Sequence, residues 1–79
     1  MNSLLLEDQI VVHASSMFSS MFVVEKKSET VLLEVPVGEM TPDILQCFLL
    51  GDEEGLAVLV AEEYCVLLPS LVEQAKRPS

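Results

Sequence analysis

Seventy-nine residues make one small domain, and a chain of this size hides only about 60% of the surface its unfolded form exposes. Hydrophobic side chains make up 51% of it, aromatic ones 5% with no Trp, and four basic against thirteen acidic residues leave a formal charge of −9. With Lys26, Lys27, Lys76 and Arg77 as its cations, the chain cannot neutralise many phosphates, which argues against nucleic acid as a partner and against attachment to an anionic membrane.

The opening MNSLLLEDQIVV lacks the basic start and small-residue cleavage site of a secretory signal. Leu4 to Val12 reads either as a hairpin of two short strands or as the start of a helix, with β-branched Ile10, Val11 and Val12 favouring a strand over 10–12. From Ala14 to Phe22 the spacing of Met17, Phe18, Met21 and Phe22 at i, i+1, i+4 and i+5 predicts one stripe of a helix, capped by Ser15 or Ser16, a stripe that reads as core first and as an adaptable contact surface second. Glu25 to Glu29 is a polar turn. Thr30 to Val37 is the best strand, Val31, Leu33 and Val35 alternating with Leu32, Glu34 and Pro36, and the proline marks an edge or a strand end.

Thr41-Pro42-Asp43 opens a helix: the threonine accepts from unpaired amides, the proline needs no donor at the first position, and the aspartate complements the helix dipole. Ile44, Leu45, Phe48 and Leu49 form its apolar side and Gly51 stops it. Asp52-Glu53-Glu54 begins the last helical region, with Leu56, Leu59, Val60, Tyr64, Leu67 and Leu68 on one stripe and Val58, Ala61, Cys65 and Val66 leaving little polar surface. Pro69 breaks or kinks this helix, Ser70 caps a short successor, and Leu71 and Val72 close the core. The apolar run Leu56 to Leu68 is interrupted by Glu62 and Glu63, which disqualifies it as a membrane span. A single domain over 1–75 with a tail at 76–79 is expected.

Chemistry is sparse. Cys47 and Cys65 are too few for a disulfide framework and are expected as free, buried thiols in a reducing cytoplasm or nucleus. His13 with either thiol lacks a third orienting group and a protease-like context, so a lone histidine beside a strand is the plainer reading. Asp52, Glu53 and Glu54 lack the spacing of a calcium loop and fit a helix start. Glu62 and Glu63 point about 100° apart around a helix, which prevents acid–base work on one substrate. No phosphate loop, metal-ligand spacing or nucleophile elbow is present, so neither an enzyme nor a cofactor is expected.

Taken in order, the segments resemble a BTB/POZ domain. His13 stands in the place of that family's histidine, and Ser15 to Phe22 is similar to its Ser-x-x-Phe-x-x-Met-Phe element. Ser28 to Pro36 resembles its acidic strand, Met40 to Leu49 its proline-initiated helix, and Leu59 to Tyr64 with Leu67 to Glu73 its leucine-rich close. The resemblance covers residues 10–75 and implies a reduced α+β fold, a short sheet with a cluster of helices, whose first strands are abbreviated. It further implies a role in protein–protein contact: self-association through Met17, Phe18, Met21 and Phe22, with recruitment of a cullin scaffold of a ubiquitin ligase through Leu50, Asp52 and Glu53 as the weaker expectation. A small acidic inhibitor or chaperone-like binder unrelated to that family is the alternative. Physical argument points toward association independently, because below about 80 residues apolar burial barely offsets chain entropy. The last helix also has more apolar circumference than one small core covers, so the partner expected is a second copy or a related chain.

Overall fold

The computed structural model describes residues 5–77, so Leu4 and the Pro78-Ser79 end of the expected tail lie outside the described residues. Strands β1 (Ile10–Ser15), β2 (Ser20–Glu25) and β3 (Val31–Pro36) form an antiparallel sheet in the order β1–β2–β3. Helices α1 (Pro42–Leu50), α2 (Glu53–Glu63) and α3 (Leu68–Lys76) follow, with 3-10 turns at Leu6–Gln9 and Val37–Glu39. The chain is a small α+β domain, as its sequence implies. Lys76, the first residue of the expected tail, is the last of α3, and its Nζ donates to Gln9 Oε1 at 2.8 Å.

The helix expected over Ala14 to Phe22 does not form; the segment is the hairpin joining β1 to β2. Residues 16–19 make the turn, with Ser19 at φ 51°. Serines compete with helical hydrogen bonds and favour turns, while the flanking β-branched pairs Val11-Val12 and Val23-Val24 favour extended backbone. The strand at 10–12 and the polar turn after Glu25 form as expected.

That second turn is organised by Glu25, whose exposure is 1%. Its carboxylate accepts from the amides of Lys27 at 3.0 Å and Ser28 at 2.8 Å. Its own amide donates to the Thr30 carbonyl at 2.8 Å. The Lys27 and Ser28 donors hold the carboxyl below its ordinary value of 4.5, against the opposing effect of burial. Glu29 completes the turn at φ 58°.

β3 is an edge strand, as its proline predicts. Val37 donates its amide to the Ser19 carbonyl at 2.9 Å, so by alternation the nitrogen of Pro36 faces away from β2, where no donor is needed. The alternation expected within β3 is broken, because the register passes from Val23↔Leu33 to Val24↔Val31 and leaves Leu32 as the extra residue. Leu32 and Leu33 therefore both pack toward the core, while Val31 turns to the other side with 57% exposure.

On the inner face Val12, Met21, Val23 and Val35 meet Ile44, Phe48, Leu56, Val60, Leu68 and Val72 in one cluster. α1 starts and stops as its sequence predicts: Thr41 Oγ1 accepts from the Ile44 amide at 3.3 Å and Gly51 adopts φ 72°. Asp52 caps α2 by accepting from the Gly55 amide at 3.0 Å. A Cβ at Gly55 would meet that aspartate side chain, so a larger residue there requires the capping carboxylate to shift. α2 ends at Glu63, not at Pro69, so Tyr64 and Leu67 belong to a turn. The ring of Pro69 would clash with the carbonyl of Cys65 four residues earlier, so the break falls one turn upstream. α3 restarts at 108° to α2, with Pro69 tolerated in its first turn and no side-chain cap from Ser70. No helix among the described residues is long and apolar enough to cross a membrane.

Glu25 links this fold to acid. A carboxyl whose folded pKa lies below the unfolded value of 4.5 contributes stability that is complete above that value and lost as pH falls through the folded pKa. Denaturant melts from neutral pH to pH 3 are expected to show this loss, and Glu25→Gln to lower stability at neutral pH while flattening the acid slope. At Glu29 the left-handed backbone predicts that Gly is neutral or stabilising by up to about 1 kcal/mol, and that Val is destabilising by more than this.

Candidate interaction surface

Because β2 is flanked on both sides, alternation along it decides which side chains meet the helices and which face away. Met21, Val23 and Glu25 are buried, while Phe22 and Val24 are half-buried and take no part in the core cluster. Across the sheet this outer side forms two cross-strand rows. Val11 pairs with Val24 and Val24 with Val31; His13 pairs with Phe22 and Phe22 with Glu34. The Phe18 ring, 67% exposed, stands edge-on to Phe22 with centroids 6.2 Å apart. Neighbouring Met17 is 84% exposed.

Nothing covers this face among the described residues. The molecule measures 35 × 26 × 18 Å, and its thinnest dimension accommodates one sheet and one helix layer about 10 Å away, not a third layer. Helices α1, α2 and α3 follow β3 in the chain and place Ile44, Phe48, Leu56, Val60, Leu68 and Val72 in the one cluster on the inner face.

Of the four residues expected at a dimer interface, the structure brings Met17, Phe18 and Phe22 to the outer surface. Met21 is the exception. Its exposure is 0% and its side chain lies in the core, because adjacent strand residues point to opposite faces. Sequence reasoning missed Val11, Val24 and Val31; the signal was the uninterrupted apolar run Met21–Val24, which as a strand has an apolar side chain on each face.

Leu50, Asp52 and Glu53 lie together at the α1–α2 junction. Leu50 is 74% exposed, as is Leu49. Both carboxylates are engaged within the molecule: Asp52 caps α2, and Glu53 Oε2 accepts from the Ala14 amide at 2.9 Å. The Gln9 carbonyl accepts from Lys26, so by alternation the Ala14 amide turns away from β2, and Glu53 satisfies an edge donor of β1.

The groups that carry chemistry are dispersed. His13 lies exposed on β1 and Cys47 half-buried on α1 against the core, while Cys65 is not buried as expected but exposed, because α2 ends at Glu63 and leaves it in the turn. No group of three or more His, Cys, Asp or Glu among the described residues is placed to hold a metal ion. Glu62 and Glu63 border a hollow with Thr41, Asp43, Ile44 and Leu59, which contains no nucleophile beyond the Thr41 hydroxyl that caps α1. Burial, with the Glu63 and Glu39 carboxylates adding to it, raises the Tyr64 phenol above its ordinary value of 10.0. No protein-family model, no curated protein and no solved structure matches this chain.

The two kinds of residue at the α1–α2 junction separate in a stability measurement. Asp52→Ala removes a helix cap and is expected to cost about 1 kcal/mol, whereas Leu50→Ala at an exposed position should stay within about 0.5 kcal/mol of the parent; paired chemical-denaturation curves decide this.

Proposed function

We propose that this chain is a protein–protein interaction module, a homo- or hetero-oligomerisation element related in type to the BTB/POZ domains that its sequence resembles. The observation that carries this is the uncovered outer face of the sheet, where Val11, Phe22, Val24 and Val31 stand beside Phe18. A contiguous apolar patch on a small domain is characteristic of a contact surface. The α+β architecture and the Thr41-Pro42 helix start agree with the resemblance; the β-hairpin over 10–25 is its chief departure.

Recruitment of a cullin scaffold ranks below self-association. At the junction that the resemblance assigns to it, Asp52 and Glu53 already serve the fold, which leaves Leu49 and Leu50 as the free contacts. The free thiols Cys47 and Cys65 suit a reducing compartment, the cytoplasm or the nucleus.

Sedimentation equilibrium across the micromolar range is expected to show a mass that rises with concentration. A folded monomer at every concentration would remove the homo-oligomeric form of the proposal. Retention of the chain on the N-terminal region of a cullin, lost on Leu50→Asp, would instead identify it as a ligase adaptor.

A further inference from the structure

Resting on the reading of the chain as an oligomerisation element, we infer that the outer sheet face binds the same face of a second copy, with a two-fold axis running along β2. Three observations carry this. The first is shape: the face is formed by three paired strands of six residues each, and a second twisted sheet can stack on it about 10 Å away to make an aligned sandwich.

The second is charge. In a chain of −9 with thirteen acids, like copies repel wherever acids meet. The helix layer holds Asp43, Glu53, Glu54, Glu62, Glu63 and Glu73, so an approach through the helices is opposed. On the outer face Glu34 is the strand acid, since Glu25 points inward, while Glu7, Asp8, Glu53 and Glu54 gather with Lys26 at its β1 border beside Val11. Contact centred on β2 therefore meets less repulsion than contact through the helices.

The third is self-complementarity. His13 and Glu34 flank Phe22 on opposite sides, on β1 and β3. An axis along β2 lays Phe22 over Phe22 and sets His13 of each copy above Glu34 of the other, so the imidazole donor meets a carboxylate twice. An isologous interface requires this self-matching. A basic partner of another kind would be drawn to the acidic helix layer, not to this face.

The size of the face sets the strength. Strands of six residues at about 3.3 Å per residue, three abreast at about 4.8 Å, cover roughly 300 Å² in projection. That is below the roughly 800 Å² per partner of a standard stable interface, so the dimer dissociates on dilution in the micromolar range or above.

Sedimentation equilibrium on face variants tests the inference, with circular dichroism confirming the fold. Phe22→Glu and, at a position too exposed to unfold the chain, Val31→Glu are each expected to weaken dimerisation at least tenfold; Val66→Glu, on the α2–α3 turn and 90% exposed, should leave it unchanged. His13→Glu should weaken it by opposing Glu34, and the double variant His13→Glu/Glu34→Lys should restore it. Concentration-dependent mass insensitive to Phe22→Glu and Val31→Glu would overturn this interface while leaving oligomerisation standing. Failure of the double variant to recover would overturn the two-fold arrangement. A wild-type chain that stays monomeric would overturn both, and would assign the face to a different molecule.

Discussion

The structure depends on one constraint: β2 is apolar on both sides, and among the described residues the helices pack against only one of them. Met21 and Val23 enter the core cluster against α1, α2 and α3, while Phe22 and Val24, the residues between and beyond them, are turned outward by the pleat. A strand of this composition belongs in a sheet covered on both faces. With the helices on the inner side, the outer side is finished by Val11, Val31 and the Phe18 ring, which stand beside Phe22 and Val24, with His13 and Glu34 flanking Phe22.

The sheet is treated differently at its edges than on its face. Along β1 the Ala14 amide is occupied by the Glu53 carboxylate, and along β3 Pro36 presents no donor where a neighbouring strand would require one. Both devices oppose the addition of strands edge to edge. Uncontrolled growth of the sheet is thereby discouraged while its face stays available, and a face-to-face contact closes after two copies where an edge contact need not. Glu53 and Asp52 show how residues that look like a charged binding epitope can belong to the fold: one caps α2 and the other finishes a strand edge.

Glu25 makes the same point inside the protein. A carboxylate exposed to only 1% would be costly, yet two turn amides meet its oxygens at 3.0 and 2.8 Å. The group becomes the organiser of the β2–β3 turn, and Lys76 from the end of α3 lies near enough to act on it electrostatically. The same lysine is hydrogen-bonded to Gln9, so the last helix is tied back to the start of the sheet.

The sequence by itself determined the features that depend on neighbours along the chain. Thr41-Pro42 at the start of α1, Gly51 at its end, Asp52 before α2, the polar turn after Glu25 and the edge placement of Pro36 each follow from a local donor, acceptor or dihedral requirement, and each forms as written. The helix expected over Ala14 to Phe22 does not form because four large apolar residues at helical spacing suit a turn followed by a strand equally well; only pairing with Val11 to Ser15 on one side and Val31 to Pro36 on the other selects the extended form. That pairing moved Met21 into the core and Phe22 to the surface, and the bulge at Leu32 turned Val31 outward. Tertiary structure alone decided which apolar residues remain uncovered, because strand alternation assigns sides but the packing of the helices determines which side is the interior.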